Sequence, residues 1–265
     1  MNYTQLVRRI REQQSFLCVG LDTHPDRLPD AVKAAADPVL AFNRQIIEAT
    51  QSHCVAYKIN TAFYEAQGET GWHRLQQTAA LVPDTHFCIL DAKRGDIGNT
   101  SRAYAEAFWP MGDALTVAPY MGSDSVQPFL EESGKWVILL ALTSNASSTD
   151  FQLLRLESGE LVYEAVVRKA QTWGTPEQLM FVVGATRGAQ LERVRELAPK
   201  NFLLVPGVGA QGGSLREVVE KAMTPDVGLL INASRSIIYA SSGADFAEAA
   251  GTKARRLQQE MQAFL

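Results

Sequence analysis

Short apolar runs recur along this chain at residues 16–21, 54–59, 87–90, 114–118, 136–142, 180–183, 202–205 and 228–231. They are rich in β-branched and aromatic side chains and mostly lack polar alternation, the pattern of strands buried on both faces. Segments of helical period separate them, at about 38–52, 70–82, 99–109, 123–133, 159–173, 187–197, 213–222 and 244–263. Eight strands alternating with eight helices, without a linker or compositional break, predict an α/β fold, a parallel (β/α)8 TIM barrel occupying residues 1–265 as one domain. An open doubly wound sheet shares the alternation, because periodicity does not report closure, but the repeat count favours the barrel. Residues 2–13 have amphipathic spacing and predict an extra N-terminal helix near the barrel bottom.

The polar residues that interrupt these runs fall at one end of the strands. Asp22 follows the first, Lys58 and Asn60 end the second, and Thr143, Ser144 and Asn145 follow the fifth. The seventh is followed by Pro206-Gly-Val-Gly-Ala-Gln-Gly-Gly213 and the eighth by Asn232-Ala-Ser-Arg-Ser236. In barrels of this kind the chemistry sits at the carboxyl ends of the strands.

The third run is the most informative, because it continues into Asp91-Ala-Lys-Arg-Gly-Asp-Ile-Gly-Asn-Thr100. Alternation along a strand sends Asp91 and Lys93 to the same side. Asp96 lies beyond, where Gly95 and Gly98 open a loop. Charges at the end of a buried strand are costly unless they pair or do chemistry. Lys58, Asp91, Lys93 and Asp96 form a set of two cations and two anions. A structural ion-pair network would use the same residues, but these open onto the expected site. A lysine between carboxylates stays protonated and can donate a proton, which favours general acid over imine chemistry.

After strands seven and eight comes a candidate anion site. Gly207, Gly209, Gly212 and Gly213 would let backbone N–H groups approach a phosphate, with a helix expected to begin at about Gly213. Arg235 adds a planar fork suited to bidentate phosphate contact. Loops seven and eight commonly hold phosphate in this fold. The triphosphatase loop motif is absent.

Composition narrows the classes. Net charge is −4 with no dense basic block, which argues against nucleic-acid binding. No apolar run is long enough to span a membrane, and the N-terminus lacks a signal peptide's apolar stretch, so a cytoplasmic protein is expected. Cys18, Cys54 and Cys88 fall in predicted strands and read as small core residues. His24, His53, His73 and His86 show no ligand spacing, so no metal is expected. His24, at the first rim, is a minor candidate for a substrate contact.

The ten-residue stretch resembles the D-x-K-x-x-D signature of the orotidine 5′-phosphate decarboxylase family, in the form of its longer bacterial branch. Gly20-Leu-Asp22, Lys58, Pro206-Gly207 with Gln211, and Arg235 follow in the order of that family, over about 16–240. The resemblance implies a carbon–carbon lyase converting orotidine 5′-phosphate to UMP and carbon dioxide in pyrimidine synthesis, without cofactor or metal. By the same resemblance Lys93 protonates C6, Asp91 sits near the departing carboxylate, and Lys58 and Asp22 hold ribose hydroxyls. Ser144 bonds the pyrimidine, with Thr143 and Asn145 equally placed. Pro206, Gly207, Gln211 and Arg235 hold the phosphate. Asp96 and Thr100 reach the partner's site in a homodimer. The segment 143–159 could close over the ligand. Two other readings remain: a related barrel acting on a sugar phosphate through a metal-stabilised enediolate, and a catalytically silent nucleotide-binding barrel.

Overall fold

The computed structural model describes residues 1–185, 188–208 and 213–265. Eight parallel strands close into a barrel in chain order: β1 (Leu17–Gly20), β2 (Ala56–Asn60), β3 (Phe87–Arg94), β4 (Ala114–Val117), β5 (Trp136–Leu142), β6 (Leu179–Val183), β7 (Leu203–Pro206) and β8 (Leu229–Ala233). Closure is made by β1 on β8, where Leu17 pairs with Ile231 and Val19 with Ala233. The expected barrel is therefore present and the open sheet is not. Nearly every strand position is buried, which explains why the strands read as continuous apolar runs.

The helices are α1 (Tyr3–Gln13), α2 (Asp30–Lys33), α3 (Pro38–Thr50), α4 (Ala62–Glu65), α5 (Gly68–Leu81), α6 (Gly98–Phe108), α7 (Ser123–Leu130), α8 (Val162–Ala170), α9 (Gly188–Leu197), α10 (Leu215–Ala222), α11 (Arg235–Ile238) and α12 (Phe246–Gln262). Local signals set several boundaries. Asn2 and Gln5 form a capping box on α1. Asp37 caps α3, whose first residue is Pro38. On α12 a side chain at Gly251 would meet the Ala49 carbonyl oxygen at 2.8 Å, so this glycine lets α12 lie close against α3.

The extra helix α1 sits at the bottom, as expected. The Tyr3 ring packs at 5.4 Å from Phe202, just ahead of β7, and the Trp136 indole at the start of β5 donates to the Met1 carbonyl at 2.9 Å.

Four details differ from the sequence expectations. Strand β3 runs past the apolar run that ends at Leu90 as far as Arg94, so it includes Asp91 and Lys93 as expected and Arg94 besides. Helix α10 begins at Leu215, capped by the Ser214 hydroxyl, rather than at about Gly213. Short helices α2, α4 and α11 lie in connections that carry too few residues to show a period. All three cysteines are buried and free, with Cys54 just ahead of β2 rather than in it.

Candidate active site

A cavity of about 350 Å³ opens at the carboxyl ends of the strands. Its wall divides by chemistry. Strands β2 to β4 contribute Lys58, Asn60, Asp91, Lys93 and Thr116, while Leu140, Val182 and Leu204 of β5 to β7 supply an apolar side. Pro206, Gly207, Asn232, Ser234 and Arg235 gather where β7 and β8 end.

The charged wall is tightly connected. Lys58, 5% exposed, donates from Nζ to Asp91 Oδ2 at 2.9 Å and to Asp22 Oδ1 at 3.4 Å. Asp91 Oδ1 accepts from Lys93 Nζ at 2.5 Å and from Thr116 Oγ1 at 3.0 Å. The order along the wall is Asp22, Lys58, Asp91, Lys93, alternating in sign. Burial alone would raise the Asp91 pKa, but Lys58 and then Lys93 outweigh it and hold the carboxyl well below its usual range. Burial alone would likewise depress Lys58, and the charges of Asp91 and Asp22 reverse this, so its pKa lies above the usual lysine value. Both groups therefore stay ionised across the neutral range. Both lysines line the cavity, and Lys93 is by far the more accessible: its side chain is 49% exposed against 6% for Lys58.

Simple alternation does not bring Lys93 to Asp91. Opposite β4, Leu90 pairs with Leu115 and Arg94 with Val117, so four steps on β3 face two on β4. Within this bulge Lys93 takes φ +50°, in the left-handed region. A residue other than glycine is held there only by its surroundings.

Asp96 and Thr100 do not line this cavity. Asp96 Oδ1 accepts from the Ile97 N–H at 2.7 Å, and its own N–H donates to Ser101 Oγ at 3.0 Å. The charged set of this chain thus includes Asp22 in place of the expected Asp96. His24 is also outside the cavity, and its Nδ1 accepts from the Asp26 N–H in the turn Pro25–Arg27.

Thr143, Ser144 and Asn145 all line the cavity, and the Thr143 hydroxyl donates to Asn145 Oδ1 at 2.6 Å. Gln152, in the segment after β5, donates back to Thr143 Oγ1 at 3.0 Å. Gly207 has φ +97°, a turn conformation that a side chain would strain. Gln211 lies outside the described residues. Asn232 Oδ1 is buried without a partner among the described residues, and Asn232 lines the cavity.

Thr116 is the site residue that sequence reading missed. Its signal was a single hydroxyl inside the apolar run 114–118, facing the strand that carries the charges. Among the described residues no group of three or more His, Cys, Asp or Glu side chains is placed to hold a metal ion.

Comparison with known proteins agrees with this geometry. A family model described as orotidine 5′-phosphate decarboxylase / HUMPS family matches residues 15–250. The orotidine 5′-phosphate decarboxylase of Christiangramia forsetii is 55% identical, covering 98% of this chain and 97% of its own. That of Phocaeicola vulgatus is 51% identical, with 99% and 98% covered. The structure of Leishmania donovani OMP decarboxylase superposes with a TM-score of 0.82 at 37% identity, covering 99% of both chains. UMP synthase of the same organism matches with a TM-score of 0.83 at 39% identity, over 96% of this chain and 56% of its own. Matched along nearly its whole length, the chain belongs to the orotidine 5′-phosphate decarboxylase / HUMPS family.

Proposed function

We infer that this protein decarboxylates orotidine 5′-phosphate to UMP and carbon dioxide, supplying UMP in pyrimidine synthesis. The observation that carries the reading is the Asp22–Lys58–Asp91–Lys93 chain of charges along one wall of a cavity whose other side is apolar. A planar pyrimidine fits against Leu140, Val182 and Leu204, with C6 toward Lys93.

Chemically, the bond between C6 and the carboxylate breaks and its electron pair stays on C6. Lys93 Nζ gives that carbon a proton as carbon dioxide departs. The developing carbanion has no adjacent electron sink, so the barrier must be lowered by charge fixed in advance and by binding energy from remote parts of the substrate. Asp91, locked between two lysines, is already ionised beside the departing carboxylate and holds the Lys93 ammonium on that side. Asp22 and Lys58 take the ribose hydroxyls, and one of Thr143, Ser144 and Asn145 bonds the base. Pro206, Gly207, Gln211 and Arg235 take the phosphate, with α10 beginning too far along to present free N–H groups at Gly213.

A homodimer completes the site in this reading. Asp96 in the β3–α6 connection and Thr100 in the first turn of α6 lie outside their own cavity, and Ile97 between them is 58% exposed. A two-fold contact there would carry Asp96 to the partner's Lys93. Mixing inactive Lys93→Ala chains with inactive Asp96→Ala chains then yields heterodimers with one intact site. With half the dimers mixed, activity recovers to roughly a quarter of the parent. If native mass spectrometry shows exchange and activity stays at the level of the unmixed variants, Asp96 does not serve the partner. The protein would act in the cytoplasm, and no helix among the described residues is long and apolar enough to cross a membrane.

Following the loss of orotate absorbance with purified protein, with and without EDTA, tests the activity. Turnover unaffected by EDTA is the expected result. UMP binding without turnover would mean a silent barrel, and turnover abolished by EDTA would favour the metal-dependent reading.

A further inference from the structure

We propose that Thr116 is a positioning residue, whose single hydroxyl fixes both the backbone and the counter-ion of Lys93. This rests on Lys93 as the C6 proton donor. The bulge in β3 removes Lys93 from the regular ladder with β4. Its backbone N–H donates instead to Thr116 Oγ1 at 2.9 Å, and that hydroxyl in turn donates a hydrogen bond to Asp91 Oδ1 at 3.0 Å. Asp91 Oδ1 in turn accepts from Lys93 Nζ at 2.5 Å. The three residues close a ring that starts and ends on Lys93: backbone N–H, threonine hydroxyl, carboxylate, ammonium.

Geometry makes this more than packing. Lys93 has φ +50°, a conformation that costs energy unless neighbours determine it. The outer face of the bulge is braced by Arg94, whose guanidinium donates to the Ala92 carbonyl at 2.8 Å and pairs with Glu65. The inner face has Thr116, which is 1% exposed and reaches the backbone of Lys93 itself. Remove the hydroxyl, and the part-buried Lys93 N–H loses its acceptor while buried Asp91 loses a donor. The ammonium then has no fixed origin from which to reach C6.

Valine has the same branching and nearly the same volume as threonine, so it separates hydroxyl from packing. Thr116→Val is expected to lower kcat roughly 10- to 100-fold, as for a small misplacement of a reacting group. KM and the affinity for UMP by calorimetry stay at parental values. Thr116→Ser, which keeps the oxygen and drops the methyl, restores kcat toward the parent. A valine variant with parental kcat, a loss confined to KM, or a serine variant as impaired as valine would each overturn the proposal. Should the valine variant fail to fold by near-ultraviolet circular dichroism, the serine variant decides alone: parental kcat supports the hydroxyl's role and a large fall refutes it. The parent's own turnover is measured first, so a failure of the decarboxylase reading is seen separately.

Discussion

The two ends of this barrel both hold cations against the fold, and they treat them differently. At the bottom, Arg195 of α9 donates to the carbonyls of Ala198, Asn201, Ala222 and Gly228 at 2.7–2.8 Å, and Lys135 donates to those of Trp109 and Gly112. Among the described residues neither forms an ion pair. At the top, Lys58 and Lys93 meet carboxylates, and those carboxylates face a cavity. The contrast registers in ionisation: burial pushes Arg195 down to about 10, whereas Asp91 and Asp22 lift the more deeply buried Lys58 above its usual value. Carbonyl dipoles satisfy a cation's donors and tie loops together, but they leave no group able to exchange a proton. Carboxylates keep Lys58 charged, and the cavity leaves the Lys93 head the more accessible of the two. The bottom cations therefore hold loops together, and in the proposed reaction the top ones perform the chemistry.

Substitutions at the two ends should separate cleanly. The largest effect is expected for Lys93→Ala, with kcat falling by more than the roughly 10²–10⁴-fold of losing one general acid, since the ammonium also balances Asp91. The fold should be retained, and near-normal turnover would sink the assignment. Arg235→Ala comes next. In the proposed function Arg235 contacts the phosphate, remote from the breaking bond, so kcat/KM should fall steeply for the nucleotide and far less for the unphosphorylated nucleoside. Equal losses on both substrates would show that Arg235 does not read phosphate.

At the bottom, Arg195→Met should lower stability in urea by about 1–3 kcal/mol, because buried carbonyls lose donors. Its kcat per folded molecule should match the parent; a fall in kcat with unchanged stability would erase the distinction between the ends. The smallest effect concerns His86, whose pKa burial lowers from its ordinary 6.5. The unfolded chain binds a proton there that the folded chain resists, so this contribution is complete above about 6.5 and shrinks as pH falls through the folded value. In His86→Gln the dependence of stability on pH between about 5 and 7 should flatten, with activity unaltered. An unchanged slope would mean that another group carries it.

Much of this was legible in the sequence because the relevant signals are local. Apolar runs without alternation revealed strands buried on both faces, and the charges that interrupt them marked the rim. Lys58 and Asp91, on the neighbouring strands β2 and β3, could be placed at one rim from strand position, and Lys93 could be assigned to the same rim but not its contact with Asp91. Other features depend on partners distant in the chain. The bulge that turns Lys93 to φ +50° arises from how β3 registers on β4, and no residue within β3 announces it. Thr116 looked like one hydroxyl in an apolar strand until β3 lay beside it. The substitution of Asp22 for Asp96 in the charged set has the same origin: β1 and β2 are neighbours in the barrel, whereas the β3–α6 connection turns away through Ser101. The start of α10 moved because Ser214 is a better cap than glycine, a signal present in the sequence and outweighed there by the glycine run.

The central claim is that the Lys93 ammonium delivers the proton to C6. A group that adds this proton in one direction must remove it in the other, so the protein should exchange the C6 hydrogen of UMP for deuterium in heavy water. The measurement is the exchange rate by proton magnetic resonance, for the parent and for Lys93→Ala, with UMP binding to the variant verified by calorimetry. The account predicts exchange catalysed by the parent and reduced to the solvent background in Lys93→Ala despite bound UMP. Exchange at the parental rate in that variant would contradict it.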